Sequence, residues 1–332
     1  MNNNQQSGIS LLEILVALAI GVVLLNGVIQ VVISNGNATK TISGFSSQQE
    51  NARVALEDLS EALRSAGHFG GTEGETVESV GTLSVTGIGG CNSNWLLDTA
   101  THIQGFEGKA SVAAITDLPT GCIPADQYTD NTDIVVLRYA SAKGATPIAS
   151  VDNATLYYRS VFGTTGAQGA ELLMGADIGD SAYGGGVDGV GTYNYQYKSE
   201  VYFVRPCSSL NGSNCEDGLH TLVRYTLEST DLISEAIAEG VEQFQLSYGV
   251  DSVGGDYVAD NYVTAENVAD WNTVVSARFS IVVRSDNRNL ANVDTNTYTL
   301  AGGYEYTPED EVAVHSRKVF TRVVQLRNMS RG

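Results

Sequence analysis

The chain is poor in the residues from which catalytic and metal centres are built. Only four of its 332 residues are histidine, and only four are cysteine. His68, His102, His220 and His315 are scattered, with no HExxH and no pair at ligand spacing. There is no CxxC pair, so a zinc site made from the four cysteines lacks its usual spacing. No G-x-S-x-G elbow occurs, and no glycine-rich stretch leads into the Lys-Ser/Thr of a phosphate loop. An enzyme on this chain would have to assemble its site from distant residues, and the expectation is a protein without catalysis. Basic residues are scarce as well: 18 Lys and Arg stand against 38 Asp and Glu, a net charge of −20. With no basic stripe carrying interleaved aromatics, nucleic acid is excluded as a partner. There is no internal repeat.

The most informative stretch is also defined by something missing. From Ile14 to Ile33 no residue is charged, and Glu13 stands alone just before that run. Twenty helical residues cover about 30 Å, one hydrocarbon thickness. A carboxylate at the edge of such a span is costly and calls for a functional explanation. The polar residues before it, Met1 to Ser7, contain neither Lys nor Arg. A secretory signal cut after Ala17-Leu18-Ala19 fits poorly, because apolar sequence continues long past that point. A plain membrane anchor with Glu13 as a harmless helix-start charge is the stronger competitor.

Beyond the span the helical period resumes. Ala52, Ala55, Leu56, Leu59, Ala62, Leu63 and Ala66 recur at spacings of three and four and form one apolar stripe. Glu50, Arg53, Glu57, Asp58, Glu61 and Arg64 take the other face, and Gly67 is placed to cap the end. After Gly67 β-branched and aromatic residues mark strands at 134–139, 156–159, 200–205, 221–227, 244–248, 277–283 and 319–326. A short helix is expected near Thr264 to Trp271. Residues 163–191, with ten glycines, read as a surface excursion. Tyr183, Tyr193, Tyr195 and Tyr197 in or after it are either partner-binding loop residues or strand residues. The expected fold is α+β: a long N-terminal transmembrane and amphipathic α-helix laid on an antiparallel β-sheet with loop insertions. Its divisions are residues 1–8 as a leader, 9–35 as the membrane and assembly helix, 36–66 as its amphipathic continuation, and 67–332 as a β-rich domain.

Gly8-Ile9-Ser10-Leu11-Leu12-Glu13, followed by the uninterrupted span, resembles the class III signal of type IV pilins and pseudopilins. The resemblance implies that a prepilin peptidase cuts between Gly8 and Ile9 and methylates the new amine of Ile9. It also implies that Glu13 pairs with that amine of a neighbouring subunit, an interaction that sets register more than stability. Further patches resemble minor pilins of the PilW type. They are the helix end 59–67, the segment 240–251, Trp271 with 274–278, and the terminal strand 317–328. That likeness implies a subunit that helps to prime type IV pilus assembly near the tip. Its implied partners are other minor pilins, the major pilin, the prepilin peptidase and the inner-membrane assembly machinery. The implied place is a single pass through the inner membrane with the C-terminal domain in the periplasm, then the extracellular pilus. A type II secretion pseudopilin is the nearest alternative, and an adhesin at the pilus tip is the alternative of another class.

Three finer expectations remain. From Arg278 onward eight Lys or Arg face six Asp or Glu, so the rest of the chain carries −22. The terminal strand is therefore either paired with acidic neighbours or a solvated basic edge. Asp251, Asp256 and Asp260, around Gly254-Gly255, and Asp177, Asp180 and Asp188 offer oxygens to calcium. They lack EF-hand spacing, and solvated turns explain them equally. No other cofactor is expected. In an exported domain the cysteines read as two loop-closing disulfides, Cys91–Cys122 and Cys207–Cys215. Intact protein denatured without reductant is expected to show no thiol open to alkylation by mass spectrometry; four reactive thiols would remove both bridges.

Overall fold

A computed structural model describes residues 10–72, 77–81, 83, 85–161, 169–183, 191–253, 255–288, 293–309 and 313–328. The chain divides into two compact units, Met1–Ser47 and Gln48–Gly332. Helix α1 (Leu11–Ser65) runs through the boundary. A single turn, α2 (Ser93–Leu96), follows. The strands are β1 (Val77–Ser79), β2 (Ile103–Phe106), β3 (Ile134–Ala140), β4 (Leu156–Val161), β5 (Gly169–Met174), β6 (Thr192–Arg205), β7 (Leu210–Asn211) and β8 (Asn214–Cys215). They continue as β9 (Thr221–Glu228), β10 (Asp231–Glu239), β11 (Val241–Val250), β12 (Asn261–Val263), β13 (Val274–Arg288), β14 (Tyr298–Thr299), β15 (Glu305–Tyr306) and β16 (His315–Gln325).

Two sheets carry the second unit. The larger has the order β1-β5-β4-β6-β3-β2, with β9 on β6 and β10 on β9. It can branch because β6 is long: residues 192–196 pair with β4, residues 200–205 pair with β9, and β3 runs along the opposite edge. The smaller sheet has the order β12-β11-β13-β16. All pairs in both are antiparallel, as expected, except the short parallel pair of β1 with β5.

The apolar stripe on α1 is buried as its spacing requires. Ala52, Ala55, Leu59, Ala62, Leu63 and Ala66 form one core with Val135, Leu137, Tyr202 and Val204 of the larger sheet and Phe244, Leu246, Phe279 and Ile281 of the smaller. Each fully buried leucine contributes about 1.5–3 kcal/mol. The alanines let the helix backbone approach both sheets. Gly67 ends the helix at φ 73°, a left-handed conformation that glycine adopts without a Cβ penalty. The last helical carbonyls, those of Arg64, Ser65 and Ala66, accept from Asn328 Nδ2 beyond β16. The stretch just past β16 is therefore tied to the end of α1. Two more clusters complete the core, one around the Cys91–Cys122 bridge and one around Phe69, Tyr158 and Tyr197.

The sheets meet where β11 passes the start of β3. Asp133 carboxylate accepts from Gly108 N at 2.8 Å and Leu246 N at 2.6 Å, and Asp133 N donates to Phe244 O. Gln243 and Gln245 Nε2 both donate to Asn131 O. Residues 131–133 thus cover the β11 edge at Phe244 to Leu246, beyond the stretch that three-residue β12 pairs. Burial pushes the Asp133 carboxyl well above its ordinary range, with Glu107 adding to the rise.

Two expectations need correction. Residues 163–191 are not one excursion, because Gly169–Met174 form strand β5 between β1 and β4, with Leu172 and Leu173 buried. Six residues among glycines, with Ala170 to Leu173 all buried, carry no alternation that would mark a strand. Residues 162–168 and 184–190, with Asp188, lie outside the described residues. The helix expected near Thr264 to Trp271 is instead two 3-10 turns, Ala265–Asn267 and Trp271–Thr273, the second started by the Asp270 carboxylate accepting from Asn272 N.

His102 lies against Phe69, ring centroids 5.2 Å apart, and burial lowers its pKa to about 4. Below about pH 6.5 the unfolded chain takes up a proton that the folded imidazole refuses. Stability from this group is whole above that pH and is lost on descent toward pH 4, on the order of 3 kcal/mol in all. Denaturant titrations of wild type and His102→Phe at pH 7 and pH 5 are expected to diverge in this sense; parallel curves would contradict it.

Candidate assembly site

Ser10 starts α1, its carbonyl accepting from Glu13 N at 3.0 Å and Ile14 N at 3.3 Å. Glu13 therefore stands in the first turn, where a carboxylate favours the helix dipole. The apolar side chains that follow are exposed along the whole run, from Leu11 at 77% to Ile33 at 58%. The helix is long and apolar enough to cross a membrane, with a window of mean hydropathy 2.5. Within the unit that holds it, this surface has no protein cover, and its chemistry suits lipid or other apolar helices. Gly8 and Ile9, the expected processing positions, lie outside the described residues. Asn26 Nδ2 donates to Val22 O, so that amide is satisfied inside the helix rather than offered to a partner.

In the second unit the polar face of α1 does more than meet solvent. Arg53 pairs with Glu50 and Glu57 along the helix, but Asp58 turns to the larger sheet. Its Oδ2 lies 3.1 Å from Arg224 Nη1 of β9, and its Oδ1 accepts from Tyr202 Oη of β6 at 2.7 Å. Arg224 also meets Glu235 of β10 at 2.5 Å and Glu200 of β6 at 3.7 Å. One guanidinium thus serves three carboxylates beside a polar cavity of about 410 Å³ that Glu61, Lys198 and Glu228 also line. Burial raises the Glu200 pKa, and Arg224 opposes the rise. Periodicity places Asp58 on the face opposite the apolar stripe and does not reveal these partners, which lie more than 140 positions away.

The smaller sheet has its own ionic centre. Glu242 of β11 receives Arg317 of β16 in a two-pronged contact, at 2.5 Å from Nε and 3.0 Å from Nη2, with Arg284 at 3.5 Å. The open question about the terminal strand resolves residue by residue: Arg317 is paired and buried, whereas Lys318 is exposed.

Cys91 is joined to Cys122 and Cys207 to Cys215, with Cα–Cα separations of 4.8 and 5.3 Å. The aspartates weighed for calcium point at their own loop. Asp251 accepts from Tyr257 N, Asp256 from Val258 N, and Asp260 from Ser252 N and Val253 N. Gly254 of that loop lies outside the described residues. Among the described residues no three His, Cys, Asp or Glu side chains gather as metal ligands. Tyr193, Tyr195 and Tyr197 belong to β6.

Residues 3–25 match the sequence family described as the prokaryotic N-terminal methylation motif. The chain resembles type IV pilin-like proteins, with their prepilin motif at the foot of an apolar helix. Within that class, residues 201–328 match the family described as type IV pilus-assembly protein W. This match runs from within β6 to just past β16 and includes Arg224, Glu242 and Arg317. A search of the curated proteins finds no match. A solved type IV-like pilin from Thermus thermophilus aligns over 85% of this chain and 97% of its own, at 10% identity and a TM-score of 0.33.

Asp58→Asn and Arg224→Met, singly and combined, are expected to show a coupling of about 1–3 kcal/mol in denaturant unfolding. Additive losses would mean that the contact does not hold the helix to the sheet.

Proposed function

We propose that this protein is a minor pilin that takes part in starting type IV pilus assembly, without catalysis. The observation that carries the reading is Glu13, one carboxylate at the start of an exposed apolar span that is otherwise uncharged to Ile33. A lone carboxylate is costly in lipid, and a cleaved neighbour supplies a counter-charge. On this reading the chain is cut between Gly8 and Ile9, the Ile9 amine is methylated, and Glu13 of one subunit meets that amine of the next. The apolar helix holds the precursor in the inner membrane with the C-terminal unit in the periplasm, and later buries itself among the helices of the filament. The matched region at 201–328 supports a place with other minor pilins, the major pilin and the assembly machinery, and the tip is the position proposed.

The mass of the mature N-terminus tests the first step: the expected first residue is methylated Ile9, and an unprocessed Met1 would sink the reading. For the second, Glu13→Ala is expected to leave the protein stable and inserted while removing it from sheared pili. Incorporation at the wild-type level would overturn the role given to Glu13.

A further inference from the structure

The smaller sheet has one closed side and one open side. Its β11 side is covered by β12 and by residues 131–133. Its other side ends at β16. The pairing of β13 with β16 keeps one register from Ser276↔Gln325 to Arg284↔Arg317. Leu326 N donates to Val275 O, one step outside that register, which makes 275 and 326 a hydrogen-bonded pair. Hydrogen-bonded and non-hydrogen-bonded pairs alternate along an antiparallel ladder. Residues 318, 320, 322 and 324 therefore bond to β13, and Val319, Thr321, Val323 and Gln325 turn their N–H and C=O outward. Among the described residues these outward groups have no hydrogen-bond partner.

Protected edges carry a proline, a bulge, a very short strand or charged side chains, and of these β16 has the last, in Lys318 and Arg322. Here there are eleven residues, no proline, and an unbroken register over the exposed part. The outward positions carry β-branched Val319, Thr321 and Val323, and Val323 is 52% exposed. Of the basic residues at 313–328, Arg317 is buried against Glu242 and Asp294, and Arg322 donates to Leu56 O and Ser60 Oγ of α1. Lys318 and Arg327 are exposed, and that segment holds no Asp or Glu.

We propose that the β16 edge is a docking site for an extended acidic strand of a partner protein, which joins the smaller sheet as its fifth strand beside β16. Main-chain hydrogen bonds to Val319, Thr321, Val323 and Gln325 supply the pairing, and exposed Lys318 favours acidic sequence. A second copy of this chain is the less suitable occupant, since it would bring two bodies of charge −20 together, whereas the partner need be acidic only along the docking strand. The inference does not rest on the pilus reading, because it concerns backbone groups in the second unit and can be tested outside cells.

The probe is a fluorescent synthetic nonapeptide, Asp-Leu-Ile-Ser-Glu-Ala-Ile-Ala-Glu, which copies the acidic edge strand β10. Anisotropy is read against the full chain in neutral detergent. The peptide is expected to bind, to weaken as salt rises, and to lose at least tenfold in affinity when its three acids become lysine. N-methylation of two adjacent peptide amides, one on each edge, is expected to cost tenfold or more without any change in the protein. Val323→Pro removes an outward N–H and no bond to β13, so it is expected to weaken binding tenfold at an unchanged melting temperature. Lys318→Glu provides a second variant with its backbone intact and is expected to weaken binding several-fold. No binding, equal binding of the lysine peptide, or binding indifferent to N-methylation would overturn the proposal. Self-association of the full chain that Val323→Pro abolishes, without peptide capture, would give the edge to a second copy and overturn the acidic partner.

Discussion

The second unit depends on one constraint: a narrow alanine- and leucine-lined stripe on α1 must be covered by two sheets at once. Neither sheet alone covers it, because Leu59 and Leu63 share their core with strands of both. That shared burial brings β11 against residues 131–133, where Asp133 ties the sheets through backbone amides. It also brings Asp58 within reach of Arg224. Small side chains are needed on the helix because the closeness that buries the stripe leaves no room for larger ones.

A strongly acidic chain places its few cations with economy. Arg138 and Arg159 are fully buried, and both donate to backbone carbonyls. Arg138 reaches Thr101 O and Trp95 O, and Arg159 reaches Tyr183 O. Arg205 does the same for Cys207 and Ser208 next to the second disulfide. In each case a guanidinium on a strand fixes a neighbouring loop, since its several donors match carbonyls that would otherwise be buried unpaired. Arg224 and Arg317 serve carboxylates instead, one tying α1 to the larger sheet and the other joining β11 to β16. The basic residues left exposed near the end of the chain flank its open sheet edge.

The two units answer to different solvents. In the second, apolar residues are buried by the fold itself. In the first, the apolar residues from Leu11 to Ile33 stay exposed, and their burial awaits lipid or other helices. The proposed assembly function follows from that difference. A surface that cannot be satisfied within one chain is a surface for joining others, and a single carboxylate on it gives the joining a register.

Much of this was legible in the sequence. The span with Glu13, the stripe from Ala52 to Ala66, the capping glycine and the strands at 134–139, 221–227 and 277–283 all follow from local periodicity, which one stretch of chain carries complete. Strand β5 was hidden because six residues among glycines show too little alternation, and β10 because its half-exposed acidic pattern resembles a loop. Pairings were not legible. Nothing near Asp58 announces Arg224, nothing near Glu242 announces Arg317, and the basic terminal strand looked alike whether paired or free. The sequence by itself determined which segments are apolar, helical or extended, because those properties depend on neighbours a few residues away. Only the tertiary structure decided which charges meet, which sheet edge is closed and which stays open, because those depend on residues that folding alone brings together.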